Sequence, residues 1–159
     1  MIGFFGKKKE PKNTTTDRLT GLKNRDYFHQ NFGELGVFKE DQYLTMVVFD
    51  VDHFKAANEI IDGDRALKDI VRFCQEEIDG KGLLMRWGGD EFLALLEYTP
   101  EETFTRFKEF IHKVEEHTAV TVSAGIVEIR HADTIKTNYY RAVQKCYLVK
   151  EMGGNGVKL

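Results

Sequence analysis

Acidic side chains gather at two places in this chain where they could do chemistry. One is Asp50-Val51-Asp52-His53-Phe54-Lys55, which closes the apolar run that begins at Leu44. The other is Asp90-Glu91, directly after Trp87-Gly88-Gly89. Carboxylates at a strand start or end cost stability unless they are solvated or hold a cation. Two hard oxygen donors with a lysine nearby suit Mg²⁺ and a phosphate substrate. The backbone carbonyl of Val51 is a natural third donor, while Lys55 and the N–H groups of His53 and Phe54 would meet the phosphates. On spacing alone a plainer reading stays open: Asp50 caps the turn that follows it, and Asp90 and Glu91 are solvated hairpin charges.

These residues need elements to position them. Leu83-Leu84-Met85 and Phe92 to Leu96 flank Gly88-Gly89, which predicts strand, two-residue turn and strand, with the glycines in positive-φ conformations. The near-continuous run Leu44 to Val51 predicts a central strand covered on both faces. Leu67, Ile70, Val71, Cys74 and Ile78 recur at helical spacing between Asp64 and Asp79, and Gly80 and Gly82 stop that helix. Thr99-Pro100-Glu101-Glu102 reads as a capping box opening a helix that buries Phe104, Phe107, Ile111 and Val114. Ala119 to Ile129 is a further strand. A helix over 135–152 follows, stopped by Gly153-Gly154-Asn155-Gly156 before a short closing strand. Ahead of all this, Phe28, Phe32 and Leu35 mark a helix from Arg25 that ends near Gly36.

From residue 44 onward the order is β-α-β-β-α-β. That is a ferredoxin-like α+β fold, an antiparallel sheet with helices on one face, extended here by an N-terminal and a C-terminal helix. In this order the first strand and the hairpin can be neighbours, which would let Asp50 and Asp90 converge.

Composition narrows the class. The 159 residues carry a net charge of −3 with no basic stripe, which argues against a nucleic-acid partner. We read residues 1–16 as a flexible tail and 17–159 as one domain; Phe4-Phe5 beside Lys7-Lys8-Lys9 makes at most a weak membrane-surface tip. No apolar run is long enough to span a membrane. Cys74 and Cys146 lack ligand spacing and read as reduced, buried thiols of a cytoplasmic protein. The five histidines also lack ligand spacing, and Trp87 reads as core.

Several motifs together make a resemblance. Asp17-Arg-Leu-Thr-Gly-Leu-Lys-Asn-Arg25, Asp50-Val-Asp-His-Phe-Lys55 with Asn58, Gly63-Asp64 with Leu67, Trp87 to Phe92, Ser123-Ala-Gly-Ile126 and Tyr147…Lys150…Gly153…Asn155 follow in order. From about Asp17 to Asn155 the chain resembles a GGDEF domain, the catalytic domain of diguanylate cyclases. The resemblance implies a palm of the nucleotidyl cyclase type and the synthesis of cyclic di-GMP from two GTP. It implies Mg²⁺ (or Mn²⁺), two ions per active site, held by Asp50, the Val51 carbonyl and Asp90. Glu91 would be a further metal contact or the acceptor of the 3′-OH proton. Lys55 and Lys150 would neutralise the triphosphate, with His53, Phe54, Gly88 and Gly89 among the substrate-binding residues. Asp64 and Asn58 would read guanine, since a carboxylate matches its N1–H and N2–H₂ donors and opposes the N1 lone pair of adenine. Asp64 also stands where a helix N-cap would. Because each such site holds one GTP, turnover implies a homodimer, formed weakly or through a partner.

The chain departs from the family in places. The loop Asn58-Glu-Ile-Ile-Asp-Gly-Asp64 is shorter than usual, which bears on nucleotide preference. Ala57 stands where isoleucine is common, and Gly154 where an arginine often reaches the triphosphate. Asp79-Gly80-Lys81-Gly82 replaces the RxxD of the family's product-inhibition site, so feedback by that route is not expected. Little chain precedes Asp17 to hold a sensory or dimerising domain. These departures keep two alternatives in view: a weak or inactive module that binds GTP and regulates a partner, and a cyclase with altered purine choice.

Overall fold

Strand β2 (Thr45–Val51) is buried along its whole length apart from Asp50, because both of its faces are covered. In the computed structural model, which describes residues 14–32 and 42–159, β2 lies between β4 (Glu91–Leu96) and β5 (Val122–Glu128), antiparallel to both. β3 (Gly82–Arg86) pairs with β4, also antiparallel. Two short parallel edges are added, β1 (Lys23–Asn24) on β3 and β6 (Gly156–Lys158) on β5, for the order β1-β3-β4-β2-β5-β6. The antiparallel four-strand centre is the expected ferredoxin-like one.

Alternation along β2 divides the core. Val47, Phe49 and Val51 pack beneath α3 (Gly63–Ile78) and α4 (Pro100–His117). There Phe49 stacks on Phe92 at 5.0 Å and meets Phe110 edge-on at 5.1 Å. Met46 and Val48, with Leu93 and Leu95, pack against α1 (Arg25–Phe32) and α5 (Ile135–Glu151). Helices therefore cover both faces, the two added helices shielding the side that a bare ferredoxin-like sheet leaves open. Burying each large apolar side chain contributes about 1.5–3 kcal/mol. That is why β2 carries its one charge near its end, at Asp50, against Lys150 in the last turn of α5.

Local chemistry sets the ends. Thr99 opens α4 with the expected reciprocal box: Glu102 N donates to Thr99 Oγ1 at 3.2 Å and Thr99 N to Glu102 Oε2 at 3.0 Å. α3 starts one residue before the expected Asp64, because Asp62 is its cap, accepting from Arg65 N at 3.2 Å. A short α2 (Phe54–Ala57), too brief to show a helical period, precedes it. Residues from Met1 to Asn13, and Leu35 and Gly36 of the N-terminal helix reading, lie outside the described residues.

The hairpin differs from the two-residue turn read from Gly88-Gly89. β3 ends at Arg86 and β4 begins at Glu91, so Trp87-Gly88-Gly89-Asp90 forms a wider loop. Trp87 N and Gly88 N both donate to Glu91 O, at 2.8 and 3.1 Å, and neither glycine is left-handed. A Cβ on Gly89 would meet nothing within 4 Å, and one on Gly88 only Glu91 Cβ at 3.8 Å. The glycines keep the loop surface bare instead of supplying a special φ.

Candidate active site

The end of β2 and the hairpin loop meet across one hydrogen-bonded register. Asp50 pairs with Glu91, and Val51 N donates to Asp90 O at 3.1 Å. A cavity of about 560 Å³ opens here, lined by Asp50, Val51, Asp90 and Lys150. His53, Phe54, Lys55 and Glu59, on and beside α2, line it from below. The structure thus gathers seven of the residues picked out in the sequence around one opening.

Asp50 carries the strongest electrostatic signature. Its side chain is 26 % exposed, and burial, reinforced by the charge of Asp90, pushes its carboxyl up to about 6. Lys150 Nζ stands 3.2 Å from Asp50 Oδ1 and pulls the other way. Asp50 Oδ1 is buried with no hydrogen-bond partner. A buried oxygen lacking a donor, next to a second carboxylate, fits a hard divalent cation. Among the described residues no three His, Cys, Asp or Glu side chains converge, so a cation held here would have two carboxylates and a main-chain oxygen as its protein ligands. Mg²⁺ accepts such a set, keeping its remaining positions for water and phosphate.

Asp52 does a different job, which sequence reasoning missed. Its carboxylate accepts from Thr121 Oγ1 and Ser123 Oγ, both at 2.7 Å, from Asn155 N at 2.8 Å and from Lys150 Nζ at 3.4 Å. Burial alone would raise its pKa, but these donors outweigh burial and hold it below the usual range. Asp52 therefore fixes the Lys150 ammonium beside Asp50 and ties down the turn after α5. Burial opposes the charge on Lys150 as well, yet the two carboxylates win and raise its pKa. Gly154, in the left-handed region at φ 75°, lies against this hub: a Cβ there would sit 2.8 Å from Asp52 Oδ2. No side chain fits at Gly154 while Asp52 keeps its place.

The remaining candidates sit around this centre. Glu91 does not line the cavity; its Oε1 accepts from the Tyr139 hydroxyl at 2.7 Å. Burial, and then that bond, push the Tyr139 hydroxyl up. Asn58 and Asp64 are exposed at the α2–α3 junction, outside the cavity, and Asp64 caps nothing there. Gly63 lets the Asn58 side chain lie against the start of α3, because a Cβ on it would run into that side chain. Gly88 and Gly89 lie in the loop above. That loop is braced by a clamp also missed in the sequence. Arg86 Nη1 contacts both Asp17 oxygens at 3.1 Å, while Arg86 Nε and Nη2 donate to Gly89 O at 3.1 and 2.6 Å. Asp17 also accepts from Thr20 N and Oγ1, at 2.8 and 2.6 Å, so the N-terminal turn and the hairpin loop hold each other.

Comparison with known proteins agrees with this geometry. The family described as "Diguanylate cyclase, GGDEF domain" matches residues 14–156. Diguanylate cyclase DgcP of Pseudomonas aeruginosa is 29% identical over 152 residues, covering 87% of this chain and 23% of that protein. The probable diguanylate cyclase DgcT of Escherichia coli is 31% identical over 176 residues, covering 99% of this chain and 38% of its own. The chain thus spans a minor part of these relatives' length. Among solved structures, the GGDEF domain of DgcB from Caulobacter crescentus in complex with c-di-GMP superposes with a TM-score of 0.81 at 24% identity, covering 96% of this chain and 97% of that one. Diguanylate cyclase SiaD from P. aeruginosa, solved with its activator SiaC, gives 0.78 at 27% identity, covering 91% of this chain and 61% of that one.

Proposed function

Since the chain belongs to the GGDEF domain family, we propose that it is a diguanylate cyclase condensing two GTP into cyclic di-GMP and pyrophosphate. The observation that carries this reading is the single cavity uniting Asp50, Val51, Asp90, Lys55 and Lys150, with the buried Asp50 Oδ1 among them. Asp50, the Val51 carbonyl and Asp90 would hold Mg²⁺ or Mn²⁺, which when bound neutralises charge on the triphosphate. Lys150, already oriented by Asp52, and Lys55 on α2 face the same phosphates and stabilise negative charge as pyrophosphate departs. Asn58 and Asp64, both exposed at the α2–α3 junction, would read the guanine edge, with His53 and Phe54 between base and phosphates. Glu91, one oxygen held by Tyr139, keeps the other for the 3′-hydroxyl proton as that oxygen attacks the α-phosphorus. Each cavity takes one GTP, so two copies must face each other.

Among the described residues no helix is long and apolar enough to cross a membrane, and we place the reaction in the cytoplasm with its substrate. Incubation with GTP and Mg²⁺, read by mass spectrometry for cyclic di-GMP, tests the reading, with Asp90→Ala as control. Turnover that survives in Asp90→Ala, or no product at high protein concentration, defeats it. A second reading, a GTP-binding module that regulates a partner, draws on Gly154, which offers the triphosphate no cation where the family often has arginine. GTP binding without turnover under forced dimerisation would favour it.

A further inference from the structure

A second cavity, of about 200 Å³, lies behind the hairpin on the sheet face covered by α1 and α5. Its walls are rings: Phe28, Trp87, Tyr139 and Tyr140. Trp87 and Tyr139 stand 5.2 Å apart at 35°, and Tyr139 and Tyr140 5.7 Å apart at 53°. Two cations flank the rings. The Arg25 guanidinium lies 5.2 Å from the Trp87 ring centre, steadied by a 3.2 Å bond from its Nε to His29 Nε2, and Lys136 Nζ lies 5.7 Å from the Tyr140 ring centre. The lining contains no carboxylate, although the chain as a whole is net negative. Ile135 and Lys136 in that lining form the first turn of α5, a helix long enough to put partial positive charge at this end. Arg25, Lys136 and Tyr140 are exposed, so the apolar core does not need them here.

Flat ring surfaces attract another aromatic ring, and paired cations at a helix start attract an anion. We propose that this cavity binds a purine mononucleotide at a site separate from the catalytic cleft, with the base against Trp87 and Tyr140 and the phosphate on Arg25 and Lys136. Its volume encloses a base but not a dinucleotide, which leaves the phosphate at the mouth between the exposed cations. Tyr139 is both a wall of this cavity and the donor that holds Glu91. A ligand that turns the Tyr139 ring therefore alters the carboxylate used in turnover, a consequence that rests on the cyclase reading.

Trp87 is the chain's only tryptophan, so its fluorescence reports this cavity directly. Titration with AMP, against ribose 5-phosphate and adenosine as its two halves, is expected to give saturable quenching, tightest for AMP. The exposed double variant Arg25→Gln/Lys136→Gln should bind AMP at least roughly tenfold more weakly, as loss of charge-assisted contacts implies. Tyr140→Ala should weaken it too, whereas Asp90→Ala, altered in the other cleft, should bind AMP unchanged. Equal binding by the double variant and the parent, or AMP no tighter than ribose 5-phosphate, or loss of binding in Asp90→Ala, overturns the site. Bound AMP should change cyclic di-GMP production by the parent but not by the double variant; an unchanged rate at saturation overturns the link to Glu91. Because binding is read without turnover, a failed cyclase assay leaves the fluorescence result decisive.

Discussion

Replacing Asp50 with Asn should make the metal-free protein more stable, although it removes a residue of the proposed site. The unfolded chain releases the Asp50 proton near 3.8, while the folded protein holds it up to about 6. Between those values the native state binds more protons, so this group's contribution to stability falls as pH rises through the window and stays low above it. A shift of about 2 units is worth about 3 kcal/mol at 1.36 kcal/mol per unit, and the water still reaching the side chain trims this to roughly 2 kcal/mol. Asparagine has the shape of the protonated acid and no charge to desolvate, and Lys150 keeps Asp52 as partner. The melting midpoint of Asp50→Asn at pH 8 without divalent ions should therefore exceed that of the parent by roughly 4–8 °C. The gain should shrink with falling pH and approach zero below about pH 3, where Asp50 is mostly protonated in both states. Adding Mg²⁺ should reverse the order, since an ion at a hundredfold its dissociation constant stabilises by about 2.7 kcal/mol and only the parent retains the ligand. Calorimetry at both pH values, with and without Mg²⁺, measures all four terms. If the metal-free variant melts at or below the parent at pH 8, the assignment of strain to this carboxylate is wrong.

Tyr139→Phe keeps the ring among its neighbours and deletes only the donor to Glu91. We expect a native melting midpoint to within a few degrees and a fall in kcat of roughly tenfold, on the scale of about 1.5 kcal/mol for a bond to a charged group; an unchanged kcat would remove Tyr139 from the catalytic account. Gly154→Ala puts a side chain in a left-handed conformation and drives it at Asp52. It should cost at least about 1–2 kcal/mol in chemical denaturation, and weaken GTP binding as Lys150 loses its anchor. Arg86→Ala leaves the partly buried Asp17 without its cation and frees Gly89 O. A loss of about 1–3 kcal/mol and faster amide exchange of Gly88 are expected, while exchange at parental rates would show that the clamp does not hold the loop.

Much of this arrangement was legible in residue types. The near-continuous apolar run of β2 announced a strand covered on both faces, because no other burial suits such a run, and Thr99-Pro100-Glu101-Glu102 announced its capping box, because its deciding hydrogen bonds lie within the segment. The hairpin loop was not legible in the same way. Consecutive glycines permit a positive φ without requiring one, and the pairing of Trp87 and Gly88 with Glu91 O chose a wider loop. Asp62 and Asp64 present the same capping chemistry to α3, and only the backbone shows that the first is used.

Asp50 and Asp52 show where reading by residue type ends. Period-two alternation assigns both to one face, but β2 stops at Val51, and Asp52 leaves the ladder to accept from residues 69 to 103 positions away. Those donors, Thr121 and Ser123 at the head of β5 and Asn155 after α5, saturate Asp52 and lower its pKa. Asp50, two positions away, has the Lys150 ammonium 3.2 Å from its buried Oδ1, yet burial, with the charge of Asp90, raises its pKa. An aspartate whose lone pairs are already taken has little to offer a cation, whereas one denied donors gains most from binding it. Identical side chains two positions apart thus become a brace and a proposed ligand, and distant hydrogen bonds decide which is which.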